Sequence, residues 1–180
     1  MKIAVDIDGP LAKLHEKYKE FCMEKYGEYV HGIDDNRLEE FHILHTDDIG
    51  VEDGAIDGIA ELHKHHDLHI ISARPSYIVD RTIKWLDRYF PQKFKTFNFT
   101  NFNRNGNKYD ACKKLECSVL IEDDIKLFLR DFKDDILVLL YTKPWNIEEV
   151  LKRNMIRVNG WKNITELFSN GLTHLNYQKV

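Results

Sequence analysis

Five short runs dominated by apolar residues alternate along this chain with stretches of helical spacing, and that rhythm leaves few folds open. The runs cover residues 2–8, 68–72, 95–100, 118–123 and 136–141. Between them Leu11, Leu14, Tyr18 and Phe21 recur at helical spacing, as do Ile78, Thr82, Trp85, Leu86 and Tyr89. Short apolar strands separated by amphipathic helices describe βαβ units, whose strands lie parallel and are covered on both faces. The expected fold is a three-layer, Rossmann-like α/β domain spanning residues 1–180, with a central parallel sheet of about five strands. One stretch breaks the rhythm. Residues 27–51, "GEYVHGIDDNRLEEFHILHTDDIGV", are polar and aromatic without strand character. Directly after the first strand–helix unit, they predict a small, mostly helical cap over the C-terminal edge of the sheet, where open α/β sheets bind ligands.

The runs end in groups foreign to an apolar core. "KIAVDIDG" closes on Asp6, Asp8 and Gly9. On an extended strand the two carboxylates fall on one side, where they repel and lose hydration. Something must compensate them. "DLHIIS" closes on Ser72 and passes through Ala73, Arg74 and Pro75 into the next helix. Lys108 follows "NRNGN" at the head of the helix "KYDACKKLE", and "SVLIEDD" closes on Glu122, Asp123 and Asp124. All strand C-termini of a parallel sheet share one edge, so these four groups converge.

Their chemistry is complementary. Oxygen ligands from Asp6, Asp8 and an acidic residue at 123 or 124 describe a magnesium site completed by water and a substrate phosphate. Ser72, with the backbone N–H groups at a helix start, can hold phosphate oxygens, and Lys108 adds a positive point charge. One aspartate is left to attack phosphorus, and the other to protonate the leaving alcohol and later activate water.

The set "DIDG", "ISARP", Lys108 and "IEDD", in that order, resembles the haloacid dehalogenase superfamily of phosphatases. The resemblance implies Asp6 as nucleophile, Asp8 as general acid and base, and Ser72 and Lys108 as phosphate binders, with Ala73 and Arg74 beside them in the substrate site. It implies Mg2+ held by Asp6, Asp8 and Asp123, with Glu122 behind and Asp124 as the substitute ligand. "ISARPSYIVDRTIKWL", the "NK" before a helix and the tail "KPWN…IRVNGW" are similar to the 5'(3')-deoxyribonucleotidase branch. That implies nucleoside monophosphates, deoxyribonucleotides above all, as substrates. Pro10 stands where valine or threonine often follows DxDG.

Composition bounds the partners. A net charge of −4 argues against a nucleic-acid polymer, which calls for a basic face. The first apolar run is broken at Asp6 and no run reaches membrane-spanning length, so neither a signal peptide nor a membrane is expected. Cys22, Cys112 and Cys117 are odd in number and lack CxxC spacing, which fits reduced thiols in a cytoplasmic protein. Oligomeric state stays open.

Several residues carry two readings. Arg74 binds phosphate or pairs with a carboxylate. His63, His65, His66 and His69 close a helical pattern and read as a solvated helix end. Phe94, Phe97, Phe99 and Phe102 read as sheet core. Tyr18, Phe41 and His42 are flat groups that either stack on a nucleobase or pack the cap, and "KPWN" either rims the pocket or ends a strand. Three other functions compete: the same chemistry on a sugar phosphate or other small metabolite, a signalling receiver, and a catalytically dead interaction module. A receiver places its acidic cluster before the Ser/Thr and the Lys, whereas here an acidic cluster comes last.

Overall fold

The apolar runs pair as strands of a single six-stranded parallel sheet in a computed structural model that describes residues 1–29, 35–100, 107–124 and 133–172. The strands are β1 (Lys2–Val5), β2 (Asp67–Ser72), β3 (Thr96–Phe99), β4 (Val119–Glu122), β5 (Leu137–Tyr141) and β6 (Met155–Val158). The helices are α1 (Leu14–Tyr26), α2 (Asp35–His45), α3 (Ala55–His63), α4 (Val79–Tyr89), α5 (Lys108–Leu115) and α6 (Trp161–Ser169). The sixth strand, "MIRV", lies beyond the five runs expected from the sequence. It sits at the sheet's edge with Arg157 inside its four residues, so it lacks the unbroken apolar stretch of three or more found in β1, β4 and β5.

Strand order is β3-β2-β1-β4-β5-β6, with every neighbouring pair parallel. From β1 the chain winds outward to β3, then returns to lay β4 against the other side of β1 and winds outward again. The β1/β4 seam is therefore the topological switch point, where an open α/β sheet leaves a crevice at its C-terminal edge. Ile3 aligns with Val119 and Val5 with Ile121, and the Asp6 N–H continues the pairing to the Ile121 carbonyl at 3.0 Å.

Strand alternation divides the core in two. Ile3, Val5, Ile70, Ile121 and Leu139 face one apolar layer shared with α1, α3, α4 and α6. Ala4, Ile71, Leu120, Val138 and Leu140 face the other, against Tyr109 and Cys112 of α5. In α1 the buried Leu14, Tyr18, Phe21 and Cys22 form one helical face, and Gly27 ends the helix in the left-handed region with its N–H on the Met23 carbonyl. Phe97, expected in the core, is 36% exposed because β3 is an edge strand; Phe94 is buried, and Phe102 lies outside the described residues. His69 belongs to β2, buried with Nδ1 2.9 Å from Thr96 Oγ1, apart from the helix-end cluster.

Within residues 27–51, α2 packs on α1, with Phe41 and Ile49 wholly buried in the same apolar layer as Ile3 and Val5. Three residues of α4 fasten this segment: Trp85 donates to the Ile49 carbonyl, Arg88 to the Asp47 carbonyl, and Arg81 binds Asp47 and the carbonyls of His42 and Ile43. No helix among the described residues is long and apolar enough to cross a membrane.

Candidate active site

β1 and β4 end side by side at the switch point, and each delivers a carboxylate. Asp6 follows Val5 and is 4% exposed; Asp123 follows Glu122 and is 3% exposed. Oxygens of Asp6, Glu122 and Asp123 lie within 4.8 Å of one another. Lys108, at the first turn of α5, reaches into this cluster with its side chain fully buried. Its Nζ lies 3.0 Å from Asp6 Oδ2 and 2.6 Å from Glu122 Oε2. Asn107 fixes the start of that helix, its side chain accepting from the Asp110 N–H at 2.6 Å.

The cluster holds three carboxylates against this ammonium. Burial raises the Asp6 carboxyl well above the usual range, and Glu122 raises it further; Lys108 opposes them without overcoming them. Burial, then Glu122 and Asp6, raise Asp123 likewise. On Lys108 burial acts to lower the ammonium, but the Asp6 and Glu122 charges prevail and raise it.

The three carboxylates are not equivalent. Glu122 is saturated: Oε2 meets Lys108, and Oε1 accepts the N–H groups of Asp123 and Asp124 at 3.1 Å each. Asp6 spends Oδ2 on Lys108, while its buried Oδ1 meets no hydrogen-bond donor among the described residues. Asp123 packs on Gly9: a Cβ there would stand 2.3 Å from Asp123 Cγ, and Gly9 adopts φ +96°. A side chain at position 9 would thus displace the carboxylate. An unpartnered buried oxygen on Asp6, a second carboxylate beside it and surplus negative charge fit a divalent cation with oxygen ligands.

Asp8 departs from the expected ligand set. β1 ends at Val5, so strand alternation no longer directs Asp8, and its carboxylate turns to Arg74 instead. Arg74 Nη2 lies 2.6 Å from Asp8 Oδ1, and Nε lies 3.1 Å from each carboxylate oxygen. Nη1 donates to Thr82 Oγ1, and the guanidinium lies over Trp85. Of its two readings, Arg74 takes carboxylate pairing, and the Asp8 carboxylate is absent from the metal-competent group. Ser72 is buried at the end of β2, where its Oγ accepts from the Arg74 N–H at 3.3 Å. A hydroxyl that accepts one bond still has its own proton to donate. Ala73 is buried beside it.

Tyr18, Phe41 and His42 do not offer flat faces at the mouth. Tyr18 and Phe41 are buried and pack on Phe21, with ring centroids 5.3 Å apart from each other. His42 is buried near Asp8 and Arg74 with Nδ1 meeting no hydrogen-bond partner among the described residues, and burial pushes its pKa down to about 4. The half-buried rings beside the site are instead His15 and Trp145, 3.9 Å between centroids. The sequence reading missed this pair because its members lie 130 positions apart on α1 and the segment after β5.

No family model matches the chain. Over 117 residues it is 27% identical to YqfW of Bacillus subtilis (strain 168), a protein provisionally named a nucleotidase. That match covers 63% of this chain and 57% of the relative, so the chain spans little more than half of the curated relative's length. Among solved structures, a haloacid dehalogenase-like hydrolase, SP0104 of Streptococcus pneumoniae, superposes with TM-score 0.66 at 12% identity, covering 93% of this chain and 98% of that one. The provisionally assigned haloacid dehalogenase hydrolase YfnB of Bacillus subtilis, bound to magnesium, gives 0.64 at 11% identity over 92% and 97%. The fold is that of the haloacid dehalogenase-like hydrolases.

Proposed function

We propose that this haloacid dehalogenase-like chain is a magnesium-dependent phosphomonoesterase acting through a phosphorylated Asp6, with nucleoside monophosphates, deoxyribonucleotides above all, as its substrates. The observation that carries the reading is Asp6 itself. It is buried at the switch point with one oxygen held by Lys108 and the other without a donor. An oriented carboxylate with one bare oxygen is suited to attack.

Asp6 and Asp123 would hold the metal, with Glu122 fixing the backbone between them and the strand. When bound, magnesium supplies positive charge that keeps both carboxylates ionised and offsets the charge of the phosphate. One oxygen of the Asp6 carboxylate attacks phosphorus and the other is left for the metal; the P–O bond to Asp6 forms as the bond to the substrate alcohol breaks. Asp8 gives a proton to the departing alkoxide, then takes one from the water that attacks the phospho-aspartate. That second step releases inorganic phosphate and restores Asp6. Ser72 and Lys108 hold the phosphoryl oxygens.

The nucleotide assignment draws on the YqfW likeness, the "ISARP" and "NK" motifs and the His15–Trp145 ring pair. A second reading, hydrolysis of a sugar phosphate or other small metabolite, is favoured by the burial of Tyr18 and Phe41, which removes stacking faces from the inserted segment. Its three cysteines are unpaired and buried, which fits the reducing compartment proposed for it. The test measures phosphate release from deoxynucleoside, nucleoside and hexose monophosphates, each with magnesium and with excess chelator. Release from nucleotides only with magnesium supports the assignment, preference for hexose phosphates selects the second reading, and turnover in chelator overturns the metal.

A further inference from the structure

The segment after β5, "KPWN", lies outside the chemistry described so far and yet touches it. Lys143 to Asn146 form a turn in which the Asn146 N–H donates to the Lys143 carbonyl at 3.0 Å, with Pro144 at the position such turns favour. The turn aims the Asn146 side chain inward, where it is 2% exposed. Its amide makes four hydrogen bonds. Nδ2 donates to the Asp123 carbonyl at 2.7 Å and to the Tyr141 carbonyl at 2.8 Å. Oδ1 accepts from the Lys143 N–H at 3.1 Å and from Arg157 Nη1 at 3.0 Å. Arg157, on β6, also donates through Nη2 to the carbonyls of Asn146 and Glu149.

We infer that Asn146, backed by Arg157, is a positioning residue that holds Asp123 in place to bind magnesium. The inference rests on the metal reading above. Asp123 is gripped at both ends of its backbone: Glu122 Oε1 takes its N–H, and Asn146 Nδ2 holds its carbonyl. Its carboxylate has Gly9 at its back. Asp6 and Asp123 repel when no cation lies between them, so the chain left to itself relaxes by moving one apart. β1 fixes Asp6 through the sheet, whereas Asp123 lies just past the end of β4 and needs another anchor. Asn146 ties it across β5 to β6. Aspartate in its place would lose both donors and put a charge against two carbonyls, and glutamine would push the amide past them.

The experiment titrates the whole chain with magnesium by isothermal calorimetry, without substrate, comparing wild type, Asn146→Ala, Arg157→Ala and the double variant. Outer partners of metal ligands are typically worth about 10- to 100-fold in affinity, so Asn146→Ala is expected to raise the magnesium Kd by about that factor. Arg157→Ala raises it less, and the double variant is no worse than Asn146→Ala, because both act through one contact. Gly58→Ala, whose methyl meets Trp161 rather than a carboxylate, is the control for lost stability alone and keeps the wild-type Kd. Wild-type affinity in a folded Asn146→Ala protein overturns the inference. Should Asn146→Ala not fold, Arg157→Lys is decisive, since lysine cannot serve three acceptors from one planar fork, and an unchanged Kd there overturns the inference too. A wild-type chain that binds no magnesium overturns the metal reading and the inference with it.

Discussion

The Arg74 guanidinium grips the Asp8 carboxylate with Nη2 2.6 Å from Oδ1, and this pair decides which half of acid–base catalysis the resting site is ready for. Burial alone would raise the Asp8 carboxyl, but the Arg74 charge and its hydrogen bonds outweigh that and hold it below its usual range. Resting Asp8 is therefore ready as a base, and the acid role proposed for the first step needs a proton brought with the substrate. Asp8→Asn is expected to lower kcat on an alkyl phosphate by about 10²- to 10⁴-fold. On p-nitrophenyl phosphate, whose leaving group needs no proton, the same variant releases a burst of nitrophenol and then stalls at the water step. A loss under threefold on the alkyl phosphate contradicts the role.

Asp6→Asn separates chemistry from folding. An amide is a poor nucleophile, so turnover disappears. The substitution also removes one of three crowded carboxylates and leaves Lys108 its shorter contact, with Glu122. In chelator the variant is expected to melt at or above the wild-type temperature. A Tm drop beyond about 4 °C, roughly 1 kcal/mol or more for a chain of this size, assigns Asp6 to the fold instead.

How much of this was legible in the sequence follows from which contacts are local. β1, β4 and β5 each hold an unbroken apolar stretch and β2 one interrupted only at His69, and the residues closing them could be placed on one edge by topology alone. The convergence of Asp6, Lys108 and the "EDD" group needed only that argument. β6 escaped because Arg157 interrupts its pattern, and Arg157 is there for Asn146, a partner on a different segment. The Arg74–Asp8 pair spans 66 positions, and no local periodicity announces it. Asp6 and Asp8 are held differently for a backbone reason: the strand ends at Val5, one residue before Asp6 and three before Asp8, and Arg74 takes the Asp8 carboxylate. Burial of Tyr18 and Phe41 likewise depends on α2 folding back onto α1.

His42 gives the stability a pH signature. Its pKa in the folded chain is about 4, below the ordinary 6.5, because burial disfavours the imidazolium. The unfolded chain therefore takes up a proton near pH 6.5 that the folded chain refuses until about pH 4. The stabilisation is complete above pH 6.5 and declines between 6.5 and 4, by on the order of 3 kcal/mol. Urea unfolding at pH 7.5, 5.5 and 4.5 is expected to show a shallower acid decline in His42→Gln than in wild type. Parallel declines would place the loss in other groups, such as His69, which burial also lowers.

Two glycine substitutions of equal size should differ in kind. At Gly9 a methyl meets the Asp123 carboxylate at 2.3 Å and the backbone sits at φ +96°, a conformation that costs a side chain about 1–3 kcal/mol. Gly9→Ala is expected to lose stability and magnesium binding together. At Gly58 a methyl meets Trp161 Cε3 at 2.4 Å, in the α3–α6 packing that the "NGW" tail builds. Gly58→Ala is expected to lose stability alone. Calorimetric Tm and magnesium affinity, measured on both, check the contrast; intact metal binding in Gly9→Ala removes the steric role assigned to that glycine.

The choice between nucleotide and sugar phosphate turns on His15 and Trp145. Their rings lie 3.9 Å apart at 43°, each half-buried. His15 is close enough to Asp8 to favour its charge, and Trp145 immediately precedes the residue that holds the Asp123 carbonyl. The pair thus neighbours both Asp8 and the turn that holds Asp123. A nucleobase stacked on such a ring gains about 1–3 kcal/mol, roughly a 5- to 150-fold preference over a sugar phosphate that cannot stack. Trp145→Ala is expected to lower kcat/KM for deoxynucleoside monophosphates by that factor and to leave hexose phosphates within about twofold. Stacking accepts every base, so the wild-type profile across the four bases should be broad. An equal fall on both substrate classes would make Trp145 a support for the turn that carries Asn146, and a fall on neither would leave the substrate unselected by this pair.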